Sequence, residues 1–183
     1  MWRNKSRSIG PDDECIAKGT KLLCDIYVGY SRRGGEMRDE VDNVRWQYRR
    51  NNAAVRWQLR HPLKRPEFCV TELDTKDEFI IRRASYIPSV FNIIEGGRTV
   101  GTIRMLSILR NKYSISIDDV KTWTFRMPLF TILFFGESRE RAEIWVRVGP
   151  SERQWNILIK PGVVQRPLVA ALAFIHNERY FCG

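Results

Sequence analysis

From Glu67 onward the chain alternates apolar and polar residues with a period of two. Between Lys112 and Asp118, Tyr113, Ile115 and Ile117 fall on one face and Lys112, Ser114, Ser116 and Asp118 on the other, which predicts a strand with one buried and one wet face. Phe68, Val70 and Leu73, followed after Asp74, Thr75 and Lys76 by Phe79, Ile80 and Ile81, predict a hairpin. Val90 to Ile94 and Arg98 to Ile103 predict a second, because the intervening Gly96-Gly97 pair accepts the positive φ values of a tight turn. Trp123 with Phe125, the doubly apolar run Leu129 to Phe135, Ala142 to Val148, and Trp155 with Ile157 and Ile159 continue the series. Upstream, Leu22 to Tyr30 predicts a strand. Ser31 to Glu36, with Arg32, Arg33, Gly34 and Gly35, predicts a loop that runs through the charges up to Asp42.

One stretch breaks this rhythm. Pro167 to Ile175 carries no polar side chain, so a helix there is apolar on every face and needs burial on all sides. Pro167 suits a first helical turn, and His176, Asn177, Glu178 and Arg179 restore polarity, which sets the helix at about 166–178. It is shorter than the roughly 20 residues a bilayer requires, so no transmembrane span is expected. Strands recurring every 8–12 residues or so predict an antiparallel sandwich or barrel. A sandwich has no room for such a helix, whereas a large closed barrel can hold one along its axis. The predicted fold is therefore mainly β, a closed antiparallel barrel enclosing a C-terminal apolar helix whose Leu168, Val169, Leu172, Phe174 and Ile175 form the core. Residues 44–183 are assigned to that barrel and 1–43 to a basic, partly disordered extension with a strand at 22–30.

With 43% hydrophobic and 11% aromatic residues, the 183-residue chain has the material for one sizeable core. Its 31 Lys and Arg against 21 Asp and Glu give a formal net charge of +10, which favours anionic partners. Cys15, Cys24, Cys69 and Cys182 have no zinc-site or redox-pair spacing, and Met1 to Gly10 lacks the apolar region of a secretion signal. Reduced thiols in a cytoplasmic protein are expected.

Candidate chemistry is sparse. His61 and His176 stand in no nucleophile motif, so neither catalysis nor a cofactor is expected. His61 reads as a loop residue, and His176 as capping the helix end or meeting solvent at the barrel mouth. The acidic pairs Asp12-Asp13 and Asp118-Asp119 point to opposite faces if extended and give no metal site. Trp46, Tyr48, Val55, Trp57 and Leu59 interleave with Arg45, Arg49, Arg50, Arg56 and Arg60. That pattern suits stacking on bases beside phosphates, and equally half-buried strands whose arginines face water.

The chain resembles the tubby C-terminal-like superfamily, which joins tubby domains, LURP-one-related proteins and phospholipid scramblases. The resemblance lies in FIIRR at Phe79 to Arg83, VGTIR at Val100 to Arg104, RNKYSI at Arg110 to Ile115, WNILIK at Trp155 to Lys160 and the helix PLVAALAFI, across roughly residues 44–183. It implies a barrel of about twelve strands around a buried helix, no general enzyme chemistry, and dealings with membranes or phosphoinositides. Without an acidic calcium-loop-like segment or the apolar tail that scramblases carry, lipid scrambling is not expected.

Arg82, Arg83, Arg104, Arg110 and Lys112 cluster at strand ends and are the candidate ligands for an anionic phospholipid or phosphoinositide. The competing account is that they keep strand edges soluble. Three functions follow: a peripheral-membrane binding module, a nucleic-acid binder using residues 45–60, and a protein-interaction scaffold.

Overall fold

The computed structural model describes residues 19–29, 32–51, 67–106, 112–126, 133–137, 142–148 and 154–181. Twelve strands close into one antiparallel barrel. They are β1 (Thr20–Gly29), β2 (Arg32–Arg38), β3 (Val44–Asn51), β4 (Glu67–Glu72), β5 (Glu78–Tyr86), β6 (Ser89–Glu95), β7 (Arg98–Met105), β8 (Lys112–Ile117), β9 (Lys121–Arg126), β10 (Leu133–Glu137), β11 (Ala142–Val148) and β12 (Gln154–Ile159), followed by helix α1 (Arg166–Phe181). Each strand pairs with its sequence neighbours, and β1 closes the sheet on β12 with Cys24 opposite Trp155 and Leu22 opposite Ile157. Closure removes the exposed sheet edges on which other chains could add.

Inward positions follow the alternation: Phe79 and Ile81, Ile103, Tyr113, Ile115 and Ile117, Trp123 and Phe125 are all buried. Gly96 and Gly97 turn the β6–β7 hairpin at φ values of 54° and 81°. Every residue of α1 from Leu168 to Glu178 is buried, three turns of helix with no face left to solvent. Leu168, Val169, Leu172, Phe174 and Ile175 belong to the same core as the inward strand residues, with the Phe174 ring centroid 5.4 Å from Phe68 and 4.7 Å from Phe91. The helix lies inside the barrel.

Three expectations need correction. The barrel does not begin at Val44, since β1 and β2 supply two of its staves. The span read as a loop at 31–42 contains β2, where Met37 is the one large apolar residue. Gly34 pairs with Tyr27 of β1 and Arg49 of β3, and a Cβ there would meet the Tyr48 carbonyl oxygen at 2.5 Å, so its glycine answers close backbone approach and not a turn. The helix also does not emerge where polarity returns, because His176, Asn177 and Glu178 remain inside.

Two ends can be distinguished. At the proximal end, where α1 begins, lie the β2–β3, β4–β5, β6–β7 and β8–β9 turns. At the distal end, where α1 finishes, β5 passes into β6.

Candidate functional site: the distal basic face

Register carries three cations to one outer surface at the distal end. Arg104 lies opposite Ser114, and Lys112, two residues further along the same face of β8, lies directly opposite Arg126 of β9. All three are exposed, and none has an ion-pair partner among the described residues. Directly opposed like charges on neighbouring strands repel and are mildly destabilising. An anion laid across β7, β8 and β9 would relieve that repulsion.

Beside this patch the chain exposes apolar side chains. Ile87, 93% exposed, and Tyr86, 64% exposed, form the tip of the β5–β6 hairpin, and Leu106, 44% exposed, follows β7. Leu106 N–H donates to the Lys112 carbonyl at 2.8 Å, which ties that leucine to the start of the cationic strand.

The sequence-derived set divides. Arg104 and Lys112 belong to this face. Arg82 points outward on β5, but its Nε donates to Glu67 Oε1 at 2.9 Å, so its charge is partly offset. Arg83 has the parity of Phe79 and Ile81 and turns inward, its guanidinium 4.6 Å from the Phe91 ring centroid and 4.9 Å from that of Tyr86, with Nη1 donating to Ser89 Oγ at 3.3 Å. The five residues therefore do not form one outer rim. Arg110 lies outside the described residues. Arg126 was missed because a lone arginine closing a strand carries no signal until the β8–β9 register sets it against Lys112.

The nucleic-acid pattern divides too. Trp46 and Tyr48 are buried inside the barrel and present no ring to a base, Arg45 pairs with Asp74 at 2.6 Å, and Arg50 pairs with buried Glu178. Residues 52–60, with Trp57, lie outside the described set.

Inside the distal end is a polar cluster that spacing gave no reason to expect. His176 Nδ1 lies 2.8 Å from Tyr48 Oη and 3.1 Å from Cys24 Sγ, while Trp155 meets the imidazole edge-on with centroids 4.7 Å apart. His176 is fully buried and meets no solvent, contrary to its reading as a residue of the barrel mouth. A Cys beside a His is the arrangement of an activated nucleophile, but Cys24 is also fully buried, so the cluster serves as internal hydrogen bonding between the helix and β1 and β3. Burial likewise pushes the Cys69 thiol up to about 11, so it stays protonated and a poor nucleophile at neutral pH.

No helix among the described residues is long and apolar enough to cross a membrane. No family model, curated protein or solved structure matches the chain.

Proposed function

We propose that this chain is a non-enzymatic binding module of the tubby-like kind that docks its distal end on anionic membrane, phosphoinositide included, from the cytoplasmic side. The observation that carries the reading is the combination of Arg104, Lys112 and Arg126, exposed and without ion pairs among the described residues, with the apolar tip Tyr86-Ile87 and Leu106 at the same end of the barrel. Cations near an anionic leaflet are each worth about 1 kcal/mol, so three supply about 3 kcal/mol, a factor of roughly 150 in affinity. Ile87 and Leu106 add the apolar contact that holds a protein in the interface once attraction has brought it there. The twelve-strand barrel around its own helix supports the resemblance to the tubby-like superfamily, and a filled interior leaves ligands to the outer surface.

Co-sedimentation with phosphatidylcholine vesicles, with and without phosphatidylserine or phosphatidylinositol bisphosphate, tests this reading. Binding is expected only with anionic lipid, weakening as salt rises, and lost in Arg104→Glu/Lys112→Glu/Arg126→Glu. Absence of binding to anionic vesicles at moderate salt removes the proposal.

A further inference from the structure

Strands β7, β8 and β9 carry opposite charge at their two ends, on one side of the barrel. Arg104, Lys112 and Arg126 stand at the distal end, and the β8–β9 turn, Asp118-Asp119-Val120, stands at the proximal end, six residues along the chain from Lys112. At about 3.4 Å per residue the two features are about 20 Å apart on the same strands. Asp118 and Asp119 are exposed, and neither has an ion-pair partner among the described residues. Both hold positive φ, 50° and 53°, and Asp118 N–H donates to the Val100 carbonyl at 3.1 Å, which anchors the turn to β7. The turn presents Val120, 88% exposed.

Each feature repels itself and complements the other. Lys112 and Arg126 are directly opposed cations with Cα atoms about 4.5–5.5 Å apart, and Asp118 and Asp119 are adjacent anions about 3.8 Å apart. Brought together, the two carboxylates meet cations at a matching spacing, and Val120 meets Leu106, exposed beside the patch. Neighbouring charges leave the contrast standing. Around the turn Glu95, Asp118, Asp119 and Glu143 outnumber Arg98 and Lys121, with Lys121 paired to Glu143 at 2.8 Å and Arg98 opposite Glu95. Arg166, also facing Glu95, is shared with Glu72 and Asp77. At the patch, Glu137 lies opposite Thr124, a row nearer the middle of the barrel than Arg126.

A chain of net charge +10 repels its own copies, which limits how two can meet. At ~0.1 M salt the Debye length is about 10 Å, so the net charge is screened across the span of a barrel while pairs in contact are screened far less. Only a locally acidic surface set on a basic one turns contact into attraction, and this chain carries both. We infer that copies of the chain associate head to tail, with the Asp118-Asp119-Val120 turn of one seated on Arg104, Lys112, Arg126 and Leu106 of the next. Such an interface is heterologous: each copy keeps a free turn at one end and a free patch at the other, so association extends to larger oligomers. A seated turn also covers the face proposed above for membrane docking, a consequence that rests on that reading.

Sedimentation velocity of the full chain over a concentration series tests the inference. Wild type is expected to associate at submillimolar concentration, most strongly near ~0.1 M salt, because lower salt brings back the repulsion between net charges and higher salt screens the contact pairs. Asp118→Lys/Asp119→Lys is expected to be monomeric; Lys76, at a φ of 61°, shows that a lysine holds such a turn position in this barrel. Arg104→Glu/Lys112→Glu/Arg126→Glu is expected to be monomeric as well. An equimolar mixture of the two variants is expected to associate again, since each reversed surface then meets its complement, a rescue that misfolding does not produce. Circular dichroism of each variant establishes that the barrel is intact. A wild type that stays monomeric throughout, association that survives the Asp118/Asp119 reversal, or a mixture that stays monomeric overturns the inference. The Asp118/Asp119 variant is expected to keep its vesicle binding, so the membrane reading and this one fail separately.

Discussion

The two ends of the barrel expose similar apolar tips in opposite electrostatic settings. At the proximal end Val41 and Val120 are 69% and 88% exposed, the first flanked by Glu40 and Asp42 and the second preceded by Asp118 and Asp119 and followed by Lys121, whose charge is paired with Glu143. At the distal end Tyr86, Ile87 and Leu106 are exposed near Arg104, Lys112 and Arg126. An exposed apolar residue is unremarkable alone, since much of any protein surface is apolar. The flanking charge separates the two ends: carboxylates repel an anionic leaflet and cations attract it.

The ends also differ in how the barrel holds the helix. At the proximal end Arg166 is half in solvent and shared among three carboxylates: Glu72 at 2.8 Å, Asp77, and Glu95 at 3.8 Å. Its Nε faces Glu72 without hydrogen-bond alignment, so that contact is an ion pair only. Burial lowers the Arg166 pKa, and the bond to Asp77 with the fields of the three carboxylates outweighs it, leaving the pKa raised. At the distal end one buried pair, Arg50 with Glu178, has side chains only 13% and 3% exposed.

Substitutions can break this contrast, beginning midway between the ends. Leu172→Asp buries an unpaired charge inside the barrel, a penalty that exceeds the margin of a typical domain, and no cooperative thermal transition is expected by circular dichroism. Next comes Arg50→Met, which strands the Glu178 carboxylate in the interior. Urea denaturation is expected to register a loss of about 3–5 kcal/mol. Arg166→Met, at the wetter end, is expected to cost about 1 kcal/mol or less, because solvent screens a half-exposed ion pair. A larger loss at Arg166 than at Arg50 would invert the comparison.

The Arg166 effect carries its own pH signature. The Thr75 hydroxyl first, then the bond from Arg166, hold the Asp77 carboxyl below its ordinary range. A carboxyl with a depressed folded pKa contributes stability above its unfolded value, near pH 4, and loses it as pH falls through the folded one. The difference between wild type and Arg166→Met is therefore expected to be full at neutral pH and to shrink below about pH 4. The smallest effect on folding belongs to the triple charge reversal at Arg104, Lys112 and Arg126. Stability is expected to stay within about 0.5 kcal/mol of wild type while vesicle binding disappears.

Much of the barrel was readable because an alternation such as Tyr113, Ile115 and Ile117 has one physical solution when one face is buried. The helix was readable because nine apolar residues in succession fit no half-wet position. Strand β2 was not, since a stave with two glycines and one large apolar residue has too little periodic signal to be told from a loop. The site was harder for a different reason. Parity turned Arg83 inward while Arg104 and Lys112 stayed outside, and only register, a property of two strands at once, joined Arg126 to them. Trp145 reads as a solvent-facing residue in a strict alternation, and nothing local reveals that the β2–β3 turn stands beside it.

The placement of Arg50 against Glu178, and of Glu72, Asp77 and Glu95 around Arg166, makes the insertion of α1 directional. Backbone dipoles leave partial positive charge at a helix start and partial negative charge at its finish, and the sleeve answers with a collar of carboxylates at one mouth and a guanidinium at the other. A helix threaded backwards would set Arg166 against Arg50 and drive Glu178 among three carboxylates. An apolar rod that greases equally well either way thus acquires a polarity from its two charged collars, which distinguish up from down for a segment whose middle cannot.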